Sequence, residues 1–322
     1  MVRKMVSTAG MRVGFAGSDG DSMNFGFGEL AALITSASWA GSCQVHTMAS
    51  RMIGAFGVVV ARVPLLVFAL GLIALFAGAS TEIPGNALFF VFLSGVVGPG
   101  FADTLLYRSS MAIGPRLAVL LISLSSCMTA LLGDIFLGES INSMGWLGIL
   151  VATGGVAFVL IEGGIHHDSD FSGLSTAQIL SGVGAGLGAS VAIATSYVFL
   201  KQGLIQGLDP IWASFLRMGV GGCAIWVFAL VRGDLFRIMR GSWSSWRVMR
   251  VLLLGCAVSS VGNCLAPVAF GLAPAGIVAT LIALQPIMII LAVALVDRKF
   301  PSGHAIIGTL IAFSGTALIF LR

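Results

Sequence analysis

Four charged residues lie inside long apolar stretches of the sequence, where a charged side chain is costly and therefore informative. Asp103 follows Gly-Pro-Gly in "GPGFADTLLYR", Asp134 falls within "MTALLGDIFLGES", and Arg62 and Arg217 have equally apolar surroundings. Ionisable residues of this kind mark substrate pathways, proton relays or buried ion pairs. Two aspartates that share a proton also form the centre of aspartyl proteases, so an intramembrane protease is one chemistry open to these residues.

The two aspartates differ in their surroundings. Asp103 comes after glycine and proline, and membrane helices keep such breaks where they line a cavity or are buried in protein. A place in a central cavity and a hydrogen bond to a neighbouring helix are equally open for Asp103. Asp134 comes near the end of its apolar run, which favours a structural place at the membrane boundary over a lining or proton-relay role. An arginine stays protonated and needs an acid or carbonyl oxygens, so we expect Arg62 and Arg217 to be structural anchors, with Asp103 as a candidate partner of Arg62.

The elements that hold these residues are predicted to be membrane-spanning helices. Hydrophobic residues make up 57% of the 322 residues and charged residues only 9%, with a mean hydropathy of +1.04, whereas about 25% of an ordinary globular domain is charged. The apolar runs are about 20 residues long, which fits helices rather than barrel strands. Ten spans are predicted, over 28–46, 53–78, 87–107, 111–133, 143–161, 179–201, 211–231, 248–270, 273–295 and 303–321.

Motifs for other chemistry are missing from the sequence. It has no Walker loop, its five cysteines lie in predicted spans without metal-site spacing, and its four histidines lie in or beside predicted loops. We therefore predict no enzyme activity, no cofactor and no metal site. The net charge of +4 suits basic loops at a membrane and does not indicate nucleic-acid binding. The expected partners are a small-molecule substrate and the lipid bilayer, with a homodimer left open.

The sequence repeats itself across its two halves. "GWLGILVATGGVAFVLI" (145–161) aligns with "AIIGTLIAFSGTALIFL" (305–321), an offset of 160 residues that extends upstream to the third span. The paired residues are Gly148 with Gly308, Gly155 with Gly315, Asp103 with Asn263 and, at an offset of 155, Arg62 with Arg217. Each half holds five spans, and because five is odd the second half must enter the membrane from the opposite side. Inverted repeats of this kind are typical of secondary transporters, whose substrate site lies near the midplane between the halves.

Six residues are candidates for the substrate pathway of such a transporter. They are Trp39, Asp103, Ser125, Tyr197, Asn263 and Gln285. Gln285 precedes Pro286, which frees a carbonyl one turn earlier, and Ser125 holds the equivalent place in the first half. Trp39 and Tyr197 lie in the first span of each half, where an aromatic ring can wall a cavity, with packing as the alternative. If transport exchanges protons for substrate, Asp103 is expected to carry the proton. Asn263 is the equivalent residue of the second half and cannot titrate.

The chain resembles a ten-span member of the drug/metabolite transporter superfamily, of the EamA-like kind, over roughly residues 28–321. The resemblance rests on Arg62 and Arg217 in the second span of each half and on four segments. These segments are "IFLGES" (135–140), "GILVATGGV" (148–156), "LIALQPIMIILAVAL" (281–295) and "GTLIAFSGTAL" (308–318). The first half departs from the family pattern with Ser125-Ser126 where the second half has Gln-Pro, and the second half has "VDRKF" (296–300) where Gly-Glu is usual.

The predicted organisation is a disordered polar tail over 1–27, a first five-helix repeat over 28–161, a linker over 162–178 and a second five-helix repeat over 179–321. The resemblance implies export of small organic metabolites such as amino acids or related compounds across a bacterial inner membrane, driven by an ion gradient or by exchange. A small-molecule channel and an aspartyl protease are the alternatives. The positive-inside rule places both termini outside whereas the resemblance implies both inside, so the orientation stays open.

Overall fold

A computed structural model describes residues 21–113, 118, 121–165, 176–288 and 303–320. These residues form helices and short connections, and no strand occurs among them. We number the helices α1 (Asp21–Ile53), α2 (Ala55–Ala77), α3 (Ala87–Gly95), α4 (Asp103–Ile113), α5 (Ser125–Leu137), α6 (Ser143–Ile165), α7 (Thr176–Ile205), α8 (Pro210–Val231), α9 (Leu235–Trp243), α10 (Trp246–Leu272), α11 (Ala275–Ile282) and α12 (Gly303–Phe320). A π-helical segment, Val96–Ala102, joins α3 to α4.

The described helices have the apolar character of membrane spans. Five are long and apolar enough to cross a bilayer, namely Phe56–Ala77, Ala87–Ile113, Thr176–Ile205, Pro210–Val231 and Trp246–Leu272. Four shorter apolar helices accompany them, over Leu121–Leu137, Ser143–Phe158, Ala275–Met288 and Ile306–Ile319. Helix α1, which contains the predicted first span, is richer in polar residues and is not among these nine. The chain is therefore an all-helical protein with the composition of a multi-pass membrane protein.

Helix α1 is longer than the sequence predicts. It begins at Asp21, inside the segment expected to be a polar tail, while residues 1–20 lie outside the described part of the chain. It continues to Ile53 because neither glycine nor proline occurs from residue 42 to residue 53, and it ends where Gly54 takes a positive φ of 78°. His46 is therefore buried in a helix rather than placed in or beside a loop, and its ring lies against Gly255 of α10. The expectation for this histidine was wrong.

The third predicted span is loosened at its centre, as the Gly-Pro-Gly stretch predicts. Residues 96–102 adopt π-helical geometry around Pro99, which has no N–H to donate to the helix. The regular α-helix resumes at Asp103, so this carboxylate lies in the first turn of α4, directly after the irregular segment. The irregular backbone brings Gly98 and Gly100 close to neighbouring helices.

Two helices are interrupted at positions that the 160-residue offset makes equivalent. Helical structure over residues 121–123 is interrupted at Leu124 and resumes at Ser125, and α11 is interrupted at residues 283–284 before helical residues resume at Gln285. At both breaks the backbone makes a tighter hydrogen bond three residues back, from Leu124 N to Leu121 O (3.2 Å) and from Leu284 N to Leu281 O (3.3 Å). The break before Gln285, close to Pro286, is therefore matched by one before Ser125, where no proline stands.

Helices of one half pack closely against helices of the other. Helix α1 lies along α10, α7 lies along the third span (α3, the π segment and α4), and α2 lies along α8. Helix α6 crosses α12 through glycines: a Cβ added at Gly148 would lie 2.8 Å from the carbonyl oxygen of Gly315, and one at Gly155 would lie 2.8 Å from that of Gly308. Since residue numbers rise along α6 as they fall along α12, these two helices run antiparallel.

Candidate functional site

A small cavity between the two halves is lined by an ion pair. Nη2 of Arg62 lies 3.5 Å from Oδ2 of Asp103, and the two side chains are 28% and 32% exposed. The remaining lining residues come from α2, the π segment and α8: Val63, Leu66, Val67, Pro99, Met218, Gly222 and Ile225. Two charged groups in the central part of apolar helices thus keep access to space inside the protein. The structure brings together the acid and the arginine that the sequence proposed as partners.

A second polar cluster surrounds Arg217 on α8. Nε of Arg217 donates to Ser94 Oγ (2.9 Å), and Nη2 donates to Ser196 Oγ (3.1 Å). The two serines also join α3 to α7, because Ser94 Oγ donates to Ser196 O (2.8 Å) and Ser196 Oγ donates to Ser94 O (2.8 Å). The guanidinium lies over the ring of Tyr197, with Cζ 5.7 Å from the ring centroid. Arg217 is therefore held by neutral groups, whereas Arg62 is held by a carboxylate.

Glycines of the third span allow Arg217 to lie against the backbone. A Cβ added at Gly95 would lie 2.7 Å from Arg217 O, and one at Gly98 would lie 2.9 Å from Arg217 Nη2. A Cβ added at Gly98 would also clash with the hydroxyl of Ser196. The irregular, glycine-rich segment that places Asp103 at the cavity therefore also makes room for the second arginine.

Asn263 and Trp39 are neighbours on α10 and α1. Asn263 is 7% exposed. Its side-chain Nδ2 donates to Ser259 O (2.9 Å), and its backbone carbonyl oxygen accepts from Ser214 Oγ (2.5 Å). Trp39 packs over the adjacent Gly262, where an added Cβ would lie 2.7 Å from Nε1 of the indole ring. The amide of Asn263 is thus engaged with its own helix, although its position is equivalent to that of Asp103.

The other predicted pathway residues occupy three different environments. Tyr197 is 8% exposed, and its ring centroid lies 4.6 Å from that of Phe270. Ser125 is buried and Gln285 is half-buried, each as the first residue after a helix break. Asp134 is exposed in the last turn of α5. Of the predicted pathway residues, Asp103 therefore pairs with Arg62 and Tyr197 lies under Arg217. Trp39 packs against Gly262, next to Asn263.

A further ion pair links the halves and was missed from the sequence. Lys201 on α7 forms an ion pair with Glu139, just beyond the end of α5, and the two side chains are only 10% and 12% exposed. Nζ of Lys201 also donates to Ala273 O (2.5 Å), while Glu139 Oε2 accepts from Ala275 N (2.6 Å) at the start of α11. A lysine near the end of an apolar helix can extend to the membrane surface, but Lys201 turns inward to Glu139. The signal was present, because a lysine within an apolar helix needs an acid and Glu139 stands in the "LGES" segment.

The described residues contain no group of three or more His, Cys, Asp or Glu side chains that could hold a metal ion. The charged groups at the cavity are instead one carboxylate, that of Asp103, and one guanidinium group, that of Arg62. Such an arrangement can bind a small polar molecule and can hold or release a proton.

Comparison with known families decides the identity of this helical protein. Residues 26–161 and 180–321 each match the EamA-like transporter family. The chain belongs to the EamA-like transporter family. The EamA-like transporter therefore carries two copies of one unit, with Arg62 and Asp103 in the first copy and Arg217 in the second. The name of this family describes its members as transporters.

Known relatives support the same assignment. An "Uncharacterized transporter in cobO 3'region" from Sinorhizobium sp. is 35% identical over 82 residues, which cover 25% of this chain and 57% of that protein. The chain thus spans somewhat more than half the length of this curated relative. A solved structure described only as "Crystal structure of protein" superposes with a TM-score of 0.73 and 16% identity, covering 94% of this chain and 97% of the other. At that identity, the likeness shows the fold alone.

Proposed function

We propose that this EamA-like transporter is a secondary transporter that exports small organic metabolites, such as amino acids or related compounds, across a bacterial inner membrane. The observation that carries the proposal is the Arg62–Asp103 pair, because both groups line a cavity between the two halves. Secondary transporters place their substrate and coupling-ion sites at the interface of their repeats. Export and the choice of metabolite follow from the family resemblance, and coupling to an ion gradient or to exchange follows from the carboxylate at the cavity.

We further propose ten spans arranged as two inverted five-helix repeats. Support comes from helices that the sequence repeat makes equivalent: α6 and α12 run antiparallel, as the Gly148–Gly315 and Gly155–Gly308 contacts require. Helices α2 and α8 are also equivalent and antiparallel, because Trp226 Nε1 donates to Val60 O (3.1 Å) while Gly71 lies against Phe215. Equivalent helices that run in opposite directions are what an inversion of one half produces.

The packing of non-equivalent helices supports the same arrangement. In the two halves, α1 is equivalent to α7, and the third span is equivalent to α10. An inverted repeat therefore requires that the packing of α1 against α10 be matched by packing of α7 against the third span, and both contacts are extensive in this protein. The helix breaks before Ser125 and Gln285 obey the same exchange. Pairs of interrupted helices at matching positions commonly form the binding site in transporters with inverted repeats.

The two alternative functions predict different behaviour. A channel would pass substrate without saturation and without coupling to a gradient, whereas a carrier saturates and responds to the driving ion. An aspartyl protease requires two carboxylates that share a proton. Here Asp103 pairs with Arg62, and Asp134 is exposed in the last turn of α5. These environments favour transport over proteolysis.

The test is a metabolite screen with an overexpressing strain and a deletion strain. Growth resistance and intracellular accumulation are measured against a panel that includes the amino acids, with immunodetection to confirm that the protein is in the membrane. We expect lower accumulation of one chemical group in the overexpressing strain and higher accumulation in the deletion strain. No change for any compound, with the protein present in the membrane, would contradict the proposed function.

A further inference from the structure

The guanidinium of Arg217 has hydrogen-bond donors that no residue in the described part of the chain uses. Arginine carries five N–H donors in a planar fork. One N–H of Nε and one of Nη2 bond to the two serine hydroxyls, Ser94 and Ser196. In the described part of the chain, no residue accepts a hydrogen bond from Nη1, and Arg217 forms no ion pair within 4.0 Å. The end of the fork formed by Nη1 and Nη2 is therefore available to a ligand.

The serines fix the fork without neutralising its charge. Each hydroxyl lies 2.8 Å from the backbone carbonyl oxygen of the other serine, to which it can donate its proton, and its oxygen accepts a hydrogen bond from the arginine. The face of the Tyr197 ring limits the guanidinium on one side, and the absence of a side chain at Gly98 makes room beside Nη2. A guanidinium held in a single orientation loses little further freedom when it binds a planar partner, which lowers the entropic cost of binding.

The charges near Asp103 are unbalanced. Asp103 lies within electrostatic range of both Arg62 and Arg217, and it forms its ion pair with Arg62. Two arginines and one aspartate leave a net charge of one positive unit on this cluster. A positive charge inside a membrane protein is costly when it has no counter-ion, and a carboxylate group bound at Arg217 would supply one.

We infer that Arg217 is the carboxylate subsite of the transporter and that its substrates carry a free carboxylate. The end of the guanidinium fork matches the two oxygens of a carboxylate, with one hydrogen bond from Nη1 and one from Nη2. Ser94 and Ser196 are positioning residues, since they act through the arginine. This inference rests on the proposed function and makes it narrower. Amines, amides and esters of the same compounds lack the carboxylate group that would pair with Arg217.

The first test measures substrate selectivity. Purified protein in proteoliposomes is given L-amino acids, their amides and the corresponding decarboxylated amines, and initial transport rates are compared. We expect transport of carboxylates only, with a roughly tenfold to hundredfold loss in Arg217→Gln, since a hydrogen bond to a charged group has this value. Arg217→Lys keeps the positive charge but loses the planar fork, so its transport rate for carboxylates should also be lower. Arg240→Gln removes an exposed arginine of α9 and should leave transport unchanged.

The second test does not require transport. Butanedione modifies accessible guanidinium groups, and mass spectrometry of the digested protein reports the modification of each arginine. We expect Arg217 to be modified in the free protein and to be protected by the L-amino acids but not by their amides. Arg240 is exposed, so it should be modified equally in every sample.

The outcomes separate the inference from the proposed function. If amides and amines are transported as well as acids and Arg217→Gln transports normally, the inference is overturned while the transporter stands. If Arg217 is not modified, or is modified equally with and without carboxylates, the inference is also overturned, whatever the transport result. Carboxylate-specific protection with no transport of any panel compound would support the binding site and count against the proposed function.

Discussion

Arg62 and Asp103 form an ion pair that is in contact with internal space, with 3.5 Å between Nη2 and Oδ2 and about one-third of each side chain exposed. Pro99, directly upstream of this aspartate, lines the same cavity. Full burial of an ion pair costs the desolvation of both charges. This pair keeps part of each side chain at internal space.

We expect Asp103→Asn to abolish pH-driven transport while substrate binding and downhill exchange remain. The physical reason is that asparagine keeps the size and one acceptor oxygen of the side chain but cannot carry a proton. Transport into proteoliposomes with and without a pH gradient measures the effect. If the pair is structural instead, Asp103→Asn should lower the membrane yield because Arg62 loses its partner, and Arg62→Gln should partly restore it. Normal pH-driven transport by well-expressed Asp103→Asn would remove this residue from the coupling mechanism.

We expect Lys201→Met to destabilise the protein strongly. The substitution leaves Glu139 as a buried carboxylate without its cation, which typically costs about 3–5 kcal/mol. The double variant Lys201→Met with Glu139→Gln should recover most of the stability, because the amide oxygen can still accept from Ala275 N. Thermal unfolding of the purified protein measures both effects.

The matched control is the exposed pair of Arg237 and Asp234 near α9, in which the arginine side chain is 80% exposed. Exposed pairs contribute only about 0–1 kcal/mol, so Arg237→Gln should leave the unfolding temperature nearly unchanged. Equal effects of Lys201→Met and Arg237→Gln would show that the buried pair has no special importance.

We expect Gly155→Val to disrupt the contact between α6 and α12. A Cβ at this position would lie 2.8 Å from both Gly308 O and the Cα atom of Ala312, and overpacking of this kind costs about 1–3 kcal/mol or more. Gly154→Val is the matched control, because a Cβ at Gly154 meets no atom within 4 Å. Membrane yield and unfolding temperature should fall only for Gly155→Val, and similar losses in both variants would contradict the described packing.

We expect residue 322 and the segment 233–246 to lie on opposite faces of the membrane. Three spans separate them in the ten-span arrangement, and three is odd. Alkaline phosphatase and green fluorescent protein fusions at each place report the side, because each reporter is active on one side only. Activity of the same reporter at both places would overturn the ten-span topology, and the side found for residue 322 decides between the positive-inside rule and the family resemblance.

The sequence by itself determined the features that depend on composition and spacing. A polar backbone cannot remain unpaired in lipid, so runs of apolar residues had to become helices, and Gly-Pro-Gly had to loosen the third of them because proline lacks an N–H. The break before Gln285 followed from Pro286 in the same way. The equivalent break before Ser125 was not expected, because no proline stands there, and only the structure shows it.

Only the tertiary structure decided which polar groups meet. An apolar run gives the approximate depth of a residue, but the direction in which its side chain points depends on how the helices pack. For this reason the sequence could propose Asp103 for Arg62, yet it could not show that two serines hold Arg217, that Lys201 turns inward to Glu139, or that His46 is buried in a helix. The pairing of charges is a long-range property, because the partners lie 41 residues apart in Arg62–Asp103 and 62 residues apart in Lys201–Glu139. It exists only once the helices are packed together.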